Sequence, residues 1–312
     1  MTRSPDQGVV LFNVLVIVAF MSLVVMAMVT MGDLAIARSQ RFSEAGQATL
    51  FVTAGEQTAL SALLTDLADK NDTDNRSEAW ARIAQDRVEI AGGFFALEIA
   101  DAQALYNLTN LRPLSVAGAV PPDERLLAAL VAGLDLDPDL TNRITRRMAD
   151  DPPVTALTDL TAGQVVSLTE AAALATVVTV LPLPTEINLN TAPLPVLSAL
   201  LGNPPQARQL DSIRSRAGFL TPADLSAAQV LPDARAGFTS SFFRVGVTVT
   251  VGQTEQAFTS LMFRDADADS GPLVRIVSRT RALAILPVVA PADETLAQAQ
   301  PVSAKPTATA AP

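Results

Sequence analysis

Histidine and cysteine are both absent from the 312 residues. Their absence removes Ser-His-Asp and Cys-His nucleophiles, imidazole- or thiolate-bound metals, and disulfides. Carboxylates remain, and two stretches invite comparison with calcium loops, which need six to eight oxygens. Asp265, Asp267, Asp269 and Gly271 follow part of an EF-hand pattern. The glycine falls one place late, however, and Ile276 stands where the loop's closing glutamate belongs, so the stretch reads as a solvated turn between strands. Asp135, Asp137 and Asp139 read as the entry to a helix. Net charge is −10, and lysine occurs only at Lys70 and Lys305. Such a chain is a poor partner for a phosphate backbone. Nothing in this inventory assembles an enzyme.

One polar residue, Asn13, stands early in a run of apolar ones. From Val9 to Met31 there is no charged side chain. At helical rise the run spans roughly 34 Å, enough to cross a bilayer core. A cleaved secretory signal, with Ala35-Ile36-Ala37 downstream as its site, is one reading, but the apolar run is longer than such signals use. A plain signal anchor is a second. A third starts from Gly8, which precedes the run directly. Gly8 followed by Val9 looks like the processing site of a type IV pilin or pseudopilin. In that family a dedicated peptidase cuts after the glycine and the apolar helix is retained, so mature residue one is Val9.

Residues 33–69 continue in helical period. Leu34, Ala37, Ala45, Ala48, Val52, Ala59, Leu63 and Leu67 are mostly three, four or seven apart, with charged residues between them. Gly32, Gly46 and Gly55 are possible bends. A polar turn follows at 71–78, then a short helix over Trp80–Val88. Period-two stretches at 88–90 and 94–99, joined through Gly92-Gly93, predict a hairpin. Three more strands are expected over 242–251, 256–264 and 273–281, in one antiparallel sheet with the first two.

Between these strand groups lies an internal repeat. YNLTNL (106–111) is echoed by INLNTA (187–192), and TDLTAGQV (158–165) by ADLSAAQV (223–230). Apolar periodicity predicts helices over 123–133, 139–150, 193–202 and 206–216, giving two related helical units. Thr191 is placed to cap the helix that begins near Pro193. The second unit resembles the helix-hairpin-helix of membrane-tethered DNA receptors. Its hairpin, Gly202-Asn203-Pro204-Pro205, lacks two of the N–H donors such a contact would use.

QGVVL at the N-terminus, IADAQALYNLTNL (99–111), RRMADDPP (146–153), LPLPTEINLNTAPLPVLSALL (181–201) and SSFFRVGVTVTVG (240–252) occur in that order. Together they resemble the minor pseudopilin K family of the type II secretion system, over about residues 7–281. The resemblance implies an α+β fold: a pilin-like long N-terminal helix packed on an antiparallel sheet, with an inserted all-helical domain of two related units. It divides the chain into a leader (1–8), a membrane helix (9–31), the first part of a pilin-like body (32–111), an insert of two SAM/helix-hairpin-helix-like units (112–238), the closing strands (239–281) and a disordered extension (282–312). It implies a non-enzymatic subunit at the tip of a short fibre, anchored in the inner membrane with its bulk in the periplasm. The implied partners are minor pseudopilins I, J and H, the prepilin peptidase and the inner-membrane secretion platform, and the acidic balance makes nucleic acid a poor partner. Asn13 falls at mature position five, where most pilin-like subunits carry a glutamate and this family does not. The family's insert binds calcium, and Asp150 and Asp151 match its acidic pair, while other expected ligands are missing. Two other functions remain open on sequence alone: a tethered DNA receptor and a tip subunit of a type IV pilus.

Overall fold

No proline interrupts the chain between Asp6 and Ala68, and helix α1 runs through all 63 of those residues. The computed structural model describes residues 6–69, 72–112, 124–231, 235–265, 271 and 273–282. The first five residues, Asp267–Asp269 and the expected C-terminal extension from residue 283 lie outside these; Ala282, expected to begin that extension, instead ends a strand. In α1, residues 10–43 are exposed apart from Ala37, so this half of the helix stands clear of the rest of the protein. Its most apolar window has a mean hydropathy of 2.8. By length and composition this half fits a single-pass membrane anchor, and the second half of α1 packs with the described remainder in a separate folded body.

The second half of α1 carries that body. Ala48, Val52, Ala59 and Leu63 form a fully buried stripe at spacings of four and seven. After α2 (Ala79–Arg82) come strands β1 (Gln85–Ile90) and β2 (Gly93–Asp101). The chain then leaves the sheet through β3 (Tyr106–Asn107), α3 (Glu124–Gly133), α4 (Asp139–Ala149), α5 (Leu157–Ala162), α6 (Leu168–Leu174), β4 (Val178–Thr179), β5 (Ile187–Asn188), α7 (Leu194–Leu201), α8 (Pro204–Ala217), α9 (Pro222–Ala227) and β6 (Ala236–Gly237). It returns as β7 (Phe242–Val251), β8 (Thr254–Asp265) and β9 (Leu273–Ala282). The antiparallel sheet has the order β1-β2-β7-β8-β9, so β2 pairs with β7 across the whole helical segment. The helix expected over Trp80–Val88 is confined to Ala79–Arg82. From Gln85 the backbone pairs with β2 instead, because sheet hydrogen bonds override a weak local helical preference.

Alternate residues of β7, namely Phe243, Val245, Val247, Val249 and Val251, are buried against α1 together with Leu97 and Ile99 of β2. Gly55 lets the helix come this close: a Cβ there would sit 3.0 Å from the Phe95 ring and 3.1 Å from Val247. A row of polar contacts then sets the height of the helix on the sheet. Glu44 accepts from Gln253 N (3.2 Å) and Thr254 Oγ1 (3.0 Å), and Gln256 Nε2 donates to the Ala45 carbonyl (3.1 Å). Ser260 Oγ donates to buried Glu56 (2.5 Å), which also pairs with Arg279 (3.0 Å). Gln256, Ser260 and Arg264 are four apart on β8, so all three point to the α1 side.

The helical segment has its own core, running from Tyr106 to Val230. Its two repeats match in detail. Asp159 and Asp224 each accept hydrogen bonds from the residues that enter a short helix, and those from Thr155 and Thr221 respectively lower both carboxyl pKa values. Leu160 and Leu225 are buried at equivalent places, and Gln164 and Gln229 both take positive φ, 55° and 54°.

Candidate functional site

At the end of the body farthest from the bare half of α1, separate stretches of chain bring polar side chains into one buried cluster. Asp66 comes from the last turns of α1 and Asp74 from the loop after it. Asp101 ends β2, and Asn188 and Thr191 belong to β5 and the following turn. Ser240 precedes β7 and Arg264 lies near the end of β8. Asn188 is fully buried. Its side-chain amide reaches the Asp74 carbonyl (2.9 Å), Asp101 Oδ2 (2.8 Å) and Ser240 Oγ (3.0 Å). Its own Oδ1 accepts from Asn190 N (2.9 Å).

Asp101 forms no direct ion pair among the described residues, and the Arg76 guanidinium acts on it only at longer range. Burial pushes its pKa up, and hydrogen bonds from Thr191 Oγ1 (2.5 Å), Ser240 Oγ (2.7 Å) and Gln103 N (2.7 Å) oppose that rise. Arg264 donates to Asp66 (2.6 Å), to Asp74 and to the Ser240 carbonyl (2.8 Å). Its guanidinium also lies 4.7 Å from the centre of the Phe243 ring. Arg76 and Arg214 hold the outer side of the 187–192 turn, donating to the carbonyls of Thr191 (2.7 Å), Leu189 (2.8 Å) and Ala192 (2.8 Å). The hydroxyls of Ser240 and Thr191 both donate to Asp101, but all three groups are buried, which closes them to a substrate. What it does is join the helical segment to the sheet and to α1, with each buried polar group satisfied by a partner from another element.

The residues singled out in the sequence lie apart from this joint. Gly8 and Val9 are in the first turns of α1, and Asn13 is exposed on the bare half among Leu11, Phe12, Val14 and Leu15. Asp150 and Asp151 are exposed on the turn after α4. There Arg147 donates to the Pro152 carbonyl (3.0 Å) and the Asp150 carbonyl (3.5 Å). Two exposed carboxylates on this turn supply fewer oxygens than the six to eight a calcium ion takes. Thr191 does not cap α7, whose N-cap is Pro193 without a side-chain bond. Its hydroxyl turns to the buried Asp101 carboxylate. In the α7–α8 hairpin the N–H groups of Gly202, Gln206 and Ala207 bond internally, and Pro204 and Pro205 have none. Little remains there to bind a phosphate. The repeat did mark one joint residue, Asn188. Its counterpart Asn107 accepts from Leu181 N (3.1 Å) and donates to the Leu183 carbonyl (2.7 Å) within the helical segment.

The sequence profile of the family described as type II secretion system (T2SS), protein K matches residues 187–245. That stretch runs from the strand bearing Asn188 to the middle of β7 and includes Thr191 and Ser240. A protein of Pseudomonas aeruginosa strain PAO1, type II secretion system protein K, is 25% identical, with 92% of this chain and 96% of that protein aligned. Along nearly all of its length the chain is similar to type II secretion system protein K. A chain from the crystal structure of the GspK-GspI-GspJ complex of enterotoxigenic Escherichia coli superposes with a TM-score of 0.60 and 19% identity, covering 79% of this chain and all of that one. At that identity the match speaks to the fold: a long N-terminal helix, an antiparallel sheet and additional helices.

Two outcomes follow from the site. Asn188→Ala strips donors from buried Asp101, Asp74 and Ser240, and should lower unfolding free energy by about 3 kcal/mol. Exposed Asn142→Ala should change it by about 0.5 kcal/mol or less; denaturant midpoints measure both. Calcium at about millimolar concentration should leave the melting temperature unchanged. A rise abolished by Asp150→Asn with Asp151→Asn would instead place calcium on the turn after α4.

Proposed function

We propose that this chain is the minor pseudopilin at the tip of a type II secretion pseudopilus, where it helps start the fibre that drives protein export. The observation that carries this reading is the position of the helical segment. It is fixed to the end of the body where α1 finishes, while the bare apolar half of α1 leaves from the other end. A pilin-like subunit stacks by placing its helix beside those of its neighbours. A folded mass beyond the end of that helix leaves no room for a like subunit above it. The role is structural, resting on helix packing rather than catalysis.

Asn13 supports the same placement. A carboxylate at this depth in the membrane is unfavourable unless it is paired. An amide at mature position five requires no partner ahead of it, and a subunit with none ahead stands at the tip. In this reading the anchor lies in the inner membrane and the soluble part in the periplasm. The partners are minor pseudopilins I and J, named together with K in the Escherichia coli complex, along with H and the secretion platform. Prepilin peptidase removes residues 1–8.

The processing step tests this assignment. N-terminal sequencing of the membrane-purified protein should begin at Val9. Gly8→Leu should leave the leader attached, because a side chain at that position obstructs the scissile bond, and it should reduce co-purification of the partner pseudopilins. A mature protein beginning at Arg38 would identify an ordinary signal peptide and contradict the assignment.

A further inference from the structure

Next to the joint, Glu78 stands close to two other carboxylates without a cation of its own. Carboxylate oxygens of Asp66, Asp74 and Glu78 lie within 4.8 Å of one another. Arg264 is engaged with Asp66 and Asp74. Glu78 has only neutral donors: Asn75 Nδ2 at 2.7 Å and Trp80 Nε1 at 2.7 Å. The charged groups around it among the described residues are Asp66 from α1 and Asp74 from its own loop, with Arg264 from β8 paired to both. Asp101 lies beyond Asp74, and Lys70 falls outside the described residues.

The loop carrying Glu78 is part of the joint. Asp74 receives the Ser240 N–H (2.6 Å), and its carbonyl receives the Asn188 amide. Trp80 packs edge-on to Phe243 with ring centres 5.0 Å apart. We propose that Glu78 is a proton-operated latch: protonated, it lets residues 72–80 close on α1 and β8; ionised, it pushes them away from Asp66 and Asp74 and loosens the seat of the helical segment. Burial raises the Glu78 pKa to about 7, with repulsion from Asp66 and Asp74 adding to it and the Trp80 and Asn75 hydrogen bonds opposing it.

The sign follows from linkage. A carboxyl whose folded value lies above its unfolded one takes up its proton more readily when folded. Its contribution to stability is complete below the ordinary glutamate value of 4.5 and is lost as pH rises to about 7. The joint is therefore firmer on the acid side of neutrality.

Trp80 is the only tryptophan in the chain and bonds directly to Glu78 Oε2. Its fluorescence, followed in the detergent-solubilised full chain from about pH 5 to about pH 9, reads the titration where it happens. Wild type should show one inflection near 7, and Glu78→Gln, which keeps an acceptor for the indole, should show none. Over the same range the wild-type folding constant should fall by about tenfold or more, while the variant's stays level. Amide exchange at Ser240 should quicken along the wild-type curve. An inflection that survives in Glu78→Gln, a wild-type curve without an inflection near 7, or Ser240 exchange that ignores the transition would each overturn the latch.

Discussion

Buried polar pairs between α1 and β8 fix the height at which the sheet rides on the membrane helix. Apolar contacts alone would not. The stripe of Ala48, Val52, Ala59 and Leu63 faces a β7 surface of repeated valines, and two such surfaces can slide by a turn with little change in buried area. Glu56 against Ser260 and Arg279, and Asp66 against Arg264, remove that freedom. A slip would leave buried charges without partners, a loss on the order of 3–5 kcal/mol for each pair broken. Membrane depth, set by the bare half of α1, is thereby transmitted to the sheet.

Arg264 carries the same constraint one step further. It closes on Asp66 of α1 and on Asp74 and Ser240 of the joint, so the residue that ends the helix–sheet row also begins the attachment of the helical segment. Asn188 completes that attachment from the other side. The result is a continuous chain of contacts from the lipid-facing helix to the far end of the molecule. An export fibre that pushes on its cargo through a terminal subunit would require this stiffness. The joint concentrates it in a few buried groups.

Much of this architecture was legible because it rests on local period. The apolar run, the amphipathic continuation of α1, the hairpin at Gly92-Gly93, the valine-rich β7 and the helices of both repeats are each written in neighbouring residues. The repeat also pointed to Asn188, though not to its partners. Asp135–Asp139 does serve as a helix entry, with Asp137 Oδ1 accepting from Asp139 N (3.0 Å). The joint itself was not legible. Asp66 and Arg264 are 198 positions apart and Asp74 and Ser240 are 166 apart, distances over which no local pattern survives. The retrievable signal was a charged residue, Arg264, at a position of β8 where alternation calls for an inward side chain. Thr191 shows the converse: local rules made it a helix cap, and a buried carboxylate from elsewhere in the chain claimed its hydroxyl.

The account stands on the helical segment ending the fibre. Because the chain has no cysteine, Leu168→Cys supplies a single thiol on that segment, at a residue 81% exposed. Fibres assembled with this variant can be labelled with maleimide-coupled gold and viewed by electron microscopy. Label confined to one end of each fibre is the predicted result. Gold spaced along the fibre length would contradict it, since a subunit carrying this mass beyond its helix would then be stacking like any other.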